Sequence, residues 1–118
     1  MSITILSAGR DAHAMEIRDR ALTAAGFTVV SSHVDELMER LFEGNFDAII
    51  LCHSLREEER RRLAGIIKNY HHATPVIVVS DLQGRQFQYG TRTVLNYPEQ
   101  IIASVRQLTG SKGRPQVA

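Results

Sequence analysis

The chain has 118 residues, 43% of them apolar and 23% charged, which is the size and balance of one globular domain and too little for two. Fourteen basic side chains against thirteen acidic ones leave a formal charge of +1, so no broad field favours nucleic acid or anionic lipid as a partner. The single cysteine, Cys52, excludes an intrachain disulfide and a CxxC metal or redox motif and points to a reducing compartment. No apolar run approaches the roughly 18 to 20 residues that a membrane span needs. The N-terminus also lacks the basic start and long apolar stretch of a signal peptide. The expected location is the cytoplasm.

The β-branched, apolar segment Ile3 to Gly9 reads as a short buried strand. Asp11 is placed to cap a helix from Ala12 to Ala25, with Ala14, Ile17, Ala21 and Leu22 as its apolar face and Gly26 as its stop. Phe27 to Ser31 is a second strand. Val34 to Glu43 is a second helix, with Leu37, Met38, Leu41 and Phe42 expected inward. The third strand, Phe46 to Cys52, is apolar at successive positions from Ala48 to Leu51, as a strand covered on both faces should be.

A charge run, Arg56 to Arg62, then opens a third helix whose apolar residues are Leu63, Ile66, Ile67 and Tyr70. The glutamates come first, which suits the helix dipole, and the run reads as a solvated face. Thr74 to Ser80 is a fourth strand with Pro75 at its entrance. The stretch from Asp81 to Thr91 is polar, with glycines at 84 and 90 and no helical face. Arg92 to Asn96 is a fifth strand. A last helix follows with Pro98 in its first turn and Ile101, Ile102, Val105 and Leu108 on its apolar face. The domain is expected to span 1–109, with a flexible tail from Gly110 to Ala118.

Strands alternating with helices select an α/β fold, an open, doubly wound parallel sheet of five strands. Such sheets carry their sites at the carboxyl ends of the strands. Those ends hold Gly9, Arg10 and Asp11, then Ser31 to His33, Cys52 and His53, Ser80 and Asp81, and Asn96 and Tyr97. His71 and His72 lie at the other end and read as exposed loop residues.

Several pieces, in order and spacing, resemble the receiver domain of bacterial two-component response regulators over roughly residues 3 to 109. They are Ile3 to Ala8 running into Asp11, Ala24-Ala25-Gly26-Phe27-Thr28-Val29, Phe46-Asp47-Ala48-Ile49-Ile50-Leu51, the Pro75-led fourth strand ending at Ser80, and Asn96-Tyr97-Pro98. The resemblance implies a flavodoxin-like sheet of order 2-1-3-4-5. It also implies a phosphorylation site made of an acidic pair that holds Mg²⁺, an acceptor aspartate, a hydroxyl residue and a lysine.

Carried over position by position, the acidic pair falls on Gly9 and Arg10, with Asp11 the only nearby carboxylate. The acceptor position falls on Cys52, the hydroxyl is kept as Ser80, and the lysine position falls on Tyr97. The resemblance therefore implies a degenerate pocket, a pseudo-receiver without phosphoryl chemistry, cofactor or metal. Arg10 is expected to pair with Asp11 or Asp81 and so fill the vacated metal site. The segment between the fourth and fifth strands is about one turn short of the family's fourth helix, so that helix is expected to be shortened or absent. Apolar area near Phe87, Val94 and Ile101 would then be uncovered.

The expected function is a stand-alone signalling module that is not an enzyme. It acts by phosphorylation-independent contact with a kinase, a regulator or a second copy of itself. A small-ligand, anion or redox sensor using the crevice around Arg10, Cys52 and Ser80 is the alternative, and an ordinary phosphorelay regulator comes third.

Overall fold

The structure, a computed structural model, describes residues 3–80 and 89–113, the last three by backbone alone. Five strands, β1 (Thr4–Gly9), β2 (Thr28–His33), β3 (Ala48–Leu51), β4 (Val76–Ser80) and β5 (Arg92–Leu95), form one all-parallel sheet of order β2-β1-β3-β4-β5. Four α-helices among the described residues cover it: α1 (Ala12–Ala24), α2 (Leu37–Glu43), α3 (Glu57–Tyr70) and α4 (Pro98–Gly113). A 3₁₀ turn at Val34–Glu36 leads into α2. The expected fold class and strand order hold. The shortened or missing helix between β4 and β5 falls on residues 81–88, outside the described residues, while Tyr89 to Thr91 are bends.

Strand alternation divides the core in two. Leu6, Ala8, Ile49, Leu51, Val76 and Val78 pack against Leu37 and Leu41 of α2 and Leu63, Ala64 and Ile67 of α3. On the other face Ile5, Ile50, Ile77, Val79 and Val94 pack against Leu22 of α1 and Ile101 and Val105 of α4. Both faces of β3 and β4 are fully covered. That is why these strands read as continuous apolar runs rather than alternating ones.

Several details differ from the sequence expectation. Helix α1 buries Met15, Arg18 and Leu22, while Ile17 is 56% exposed. Two long apolar side chains seven residues apart set the rotation of this helix, and the alanines at 14 and 21 bury too little area to compete. In α2 only Leu37 and Leu41 are buried; Met38 and Phe42 lie on the outer surface. Phe42 instead meets Tyr70 edge to face, with ring centroids 5.6 Å apart. Val94 and Ile101 are buried beneath α4 rather than left as an open patch, and Phe87 lies outside the described residues. His71 is half-buried, its Nε2 lying 2.9 Å from the carbonyl of Leu41 and tying α3 to α2. Helix α4 continues through Gly113, so the segment from Gly110 to Gly113 is helix rather than tail, and 114–118 lies outside the described residues. Among the described residues no helix is long and apolar enough to cross a membrane.

Candidate functional site

The carboxyl edge of the sheet is where β1, β3 and β4 release the chain into α1, α3 and the segment before β5. Gly9 ends β1 and is fully enclosed. A Cβ built there would lie 2.8 Å from Cys52 Cβ, 2.8 Å from Met15 Sδ and 2.9 Å from Ser54 Oγ. Glycine is required here by close approach, and the carboxylate expected of a metal site has no room at this position.

Arg10 turns to α3 rather than to Asp11, and Asp81 lies outside the described residues. Its Nε donates to Glu59 Oε1 at 2.9 Å, and its Nη2 donates to Oε2. Such a fork joins two planar groups by parallel, charge-assisted bonds. The hydrogen bond from Arg10 holds the Glu59 carboxyl at about 2, well below its ordinary value of 4.5, and the same bond raises the guanidinium. Glu59 Oε1 also accepts from the amide of Arg56 and closes the first turn of α3. The expected neutralisation of Arg10 thus occurs through a residue of the charge run.

Asp11 is the N-cap of α1, its Oδ1 accepting from the amides of His13 and Ala14. Ser54 joins the two loops by accepting from the amides of Arg10 and Asp11 at 3.0 and 3.1 Å. Its hydroxyl lies 3.3 Å from Cys52 Sγ.

Cys52 follows β3 directly, fully buried, with its amide donating to the carbonyl of Ala8 at 2.8 Å. Its sulfur faces Arg18, whose Nη1 donates to Sγ at 3.1 Å while Nη2 donates to Ser7 Oγ at 2.9 Å. Arg18 is 2% exposed. Its Nε has no hydrogen-bond acceptor and lies 3.9 Å from Asp19 Oδ1, itself buried without a donor. His53 turns its Nδ1 to 3.7 Å from Sγ, because the chain leaves the strand in a turn at that point.

A second buried arginine closes the crevice from α3. Arg60 Nη1 donates to the carbonyls of His53 and Val79, both at 3.3 Å. Ser80, the last residue of β4, is buried and registers with Leu95 of β5. Tyr97 is 55% exposed, and its carbonyl accepts from the amides of Gln100 and Ile101 to start α4. Of the six positions read from the sequence, Gly9, Arg10, Asp11 and Cys52 are tied together through Ser54. Ser80 lies one residue beyond the Val79 carbonyl that Arg60 holds, and the Tyr97 ring stands mostly in solvent.

Among the described residues the edge carries the guanidinium groups of Arg10, Arg18 and Arg60. The carboxylates of Asp11 and Glu59 are engaged by amides or by Arg10. Among the described residues no group of three His, Cys, Asp or Glu side chains is arranged to hold a metal ion. Magnesium demands a near-octahedral set of oxygens that usually includes a carboxylate, and guanidinium groups are the opposite of that donor set. The described residues of this edge do not fit Mg²⁺.

Sequence reading missed Arg18, Arg60, Glu59, Ser54 and Ser7. A signal existed for Arg60, which precedes Leu63, Ala64 and Ile67 at i, i+3, i+4 and i+7 and shares their buried stripe. Arg18 sits likewise between Met15 and Leu22. Charge made Arg60 look like a surface residue of the solvated run, and Arg18 drew no reading.

No family model and no curated protein matches the chain. Solved structures do. The receiver domain of Francisella response regulator 1452 superposes with a TM-score of 0.80 at 15% identity, over 94% of this chain and 99% of that one. A two-component response regulator from Clostridium difficile gives 0.80 at 16% identity, over 95% and 99%. The response regulator TrrA from Thermotoga maritima, in complex with Mg²⁺ and BeF, gives 0.79 at 17% identity, over 90% and 98%. The five-stranded parallel sheet and its flanking helices are thus those of the receiver-domain fold, built on a largely different sequence.

Proposed function

We propose that this chain is a receiver-like signalling module that acts by binding another protein, or a second copy of itself, without Mg²⁺-dependent phosphoryl transfer and without enzymatic activity. One observation carries the reading. The crevice that corresponds to the family's phosphorylation site is occupied by guanidinium groups and a buried thiol, with Gly9 enclosed where the first acidic residue would stand. Phosphoryl transfer rests on metal ions that bridge and neutralise the phosphoryl oxygens. Here the donor set repels the metal, and Cys52 offers soft sulfur beside it. The protein-contact half of the reading is supported by the fold. TrrA, which shares it, has been solved in complex with the histidine kinase ThkA, and a kinase of that kind is the partner class expected here.

Incubation with acetyl phosphate and Mg²⁺, followed by intact-mass measurement, tests the reading. The mass is expected to stay unchanged. A stoichiometric phosphoryl adduct that is lost in Cys52→Ala or Ser80→Ala would overturn it and favour an ordinary phosphorelay regulator.

The contact of Arg18 Nη1 with Cys52 Sγ favours one second reading, a redox or anion sensor at Arg10, Cys52 and Ser80. Maleimide labelling of the folded protein at neutral pH separates the two. Labelling as fast as that of glutathione supports the sensor, and strong protection removes it.

A further inference from the structure

At the amino edge of the sheet, opposite the crevice, a groove of about 420 Å³ runs between α3 and the start of β5. Its floor is Ala64, Gly65 and Val76, and Arg61, Lys68 and His72 stand around it. Tyr89, Gly90 and Thr91 form the far wall. Among the described residues no carboxylate lines it; Arg61 and Lys68 supply positive charge on the helix side, and Tyr89 and Thr91 an aromatic and hydroxyl wall on the other.

The wall is fixed rather than incidental. The Thr91 amide donates to the Val76 carbonyl at 2.7 Å, and Thr91 Oγ1 accepts from the Val76 amide at 2.9 Å. Gly90 takes a positive φ of 85°, and a Cβ there would lie 2.6 Å from Val78 Cγ2. Tyr89 packs half-buried against the core. The volume falls within the usual range of small-molecule pockets, which are largely preformed clefts.

Gly65 is the unexplained residue. It stands in the middle of a fourteen-residue helix, where glycine is the poorest helix former after proline. Its backbone needs no glycine, and a Cβ there would meet nothing within 4 Å. Packing therefore does not require the missing side chain, and its absence leaves the groove open along this stretch of the helix. Arg61 and Lys68 lie two helical turns apart on the same flank, about 10 Å along the axis, with only Ala64 and Gly65 of the groove floor between them. That spacing lets two cations close on one ligand from both ends.

We infer that this groove is a binding site for a small phosphate-bearing anion with at least two phosphoryl groups, held between Arg61 and Lys68 over Gly65. The groove shares no lining residue with the degenerate crevice, so its test stands or falls separately from the phosphoryl-transfer test.

Calorimetric titration of the full chain with inorganic pyrophosphate and with ADP, at low ionic strength, tests the inference. Saturable one-to-one binding is expected, weakened by about tenfold or more in Arg61→Ala/Lys68→Ala, since each charged hydrogen bond is worth a large fraction of such an affinity. Gly65→Leu keeps every charge and is expected to abolish binding, while Gly65→Ala raises the melting temperature and confirms that the helix tolerates a side chain there. Arg62→Ala removes the same charge from a residue about 100° round α3 from Arg61, outside the groove lining, and is expected to change affinity roughly twofold or less. Pyrophosphate binding without ADP binding points to the phosphoryl groups as the recognised part, and tighter ADP binding adds the Tyr89 wall; both support the site. The inference is overturned by the absence of saturable binding, by equal losses in Arg62→Ala and the double variant, or by full affinity in a folded Gly65→Leu.

Discussion

Arg18 Nη1 lies 3.1 Å from Sγ of Cys52, inside the protein, on a helix whose other buried residues are Met15 and Leu22. A guanidinium that is 2% exposed has lost nearly all its hydration, and hydrogen bonds to Cys52 and Ser7 with a distant Asp19 compensate only part of that loss.

Removing this charge cleanly should therefore cost little. Arg18→Met, which keeps much of the length and fills the space, is expected to leave stability within about 1 kcal/mol of the parent or to raise it. Arg18→Ala leaves a cavity and is expected to cost about 2 to 4 kcal/mol. Cys52→Ala strands Nη1 and is expected to cost about 1 to 3 kcal/mol; combined with Arg18→Met it should cost less than the sum of the two singles, because the stranded donor is gone. Urea denaturation of the four variants measures each value. A large loss in Arg18→Met would show instead that the arginine's own hydrogen bonds hold the crevice together.

Gly9→Asp does not restore a metal site. Its Cβ alone would press on Cys52, Met15 and Ser54 at 2.8 to 2.9 Å, an overpacking cost of about 1 to 3 kcal/mol, to which burial of the carboxylate adds a desolvation penalty. The expected result is a melting temperature lower by on the order of 10 °C, with no recovery on adding Mg²⁺. Recovery of the lost stability by millimolar Mg²⁺ would contradict the steric argument.

Glu59 makes part of the stability depend on acid. Its carboxyl is held at about 2 in the folded chain against an ordinary 4.5, so the unfolded chain binds the proton more readily. The contribution of the Arg10 pair is complete above about pH 4.5 and is lost as pH falls toward 2. Because Arg10 is 37% exposed, solvent screens the pair and the contribution is modest. Glu59→Gln should be less stable than the parent at neutral pH and should converge with it in strong acid. Urea midpoints across that range check this, and a constant gap between the two proteins would contradict it. Arg10, already raised from its ordinary value by the same hydrogen bond, plays no part in this pH window.

The alternation of apolar strands with capped helices, the Asp11 cap, the glycine after α1 and the proline before β4 were all legible in the sequence, because each rests on local chemistry. Backbone dihedrals, capping donors and apolar periodicity are properties of a few neighbouring residues, and together they specify a parallel five-stranded sheet. The sequence also placed Gly9, Arg10, Asp11 and Cys52 at one edge, since strand ends in such a sheet meet there.

Tertiary structure alone decided how those residues are used. The partner of Arg10 is 49 residues away at Glu59, and the partner of Cys52 is 34 residues back at Arg18. Both partners sit on helices whose rotation about their own axes is set by packing against the sheet. The charge run suggested that Arg60 faces water, whereas rotation of α3 turned it inward, and rotation of α1 did the same for Arg18, because the stripe carrying the bulkiest apolar side chains had to be buried and each arginine lies on it. The sequence by itself determined the scaffold and the edge where a site would lie; the packing of two helices determined that this edge is filled by guanidinium groups.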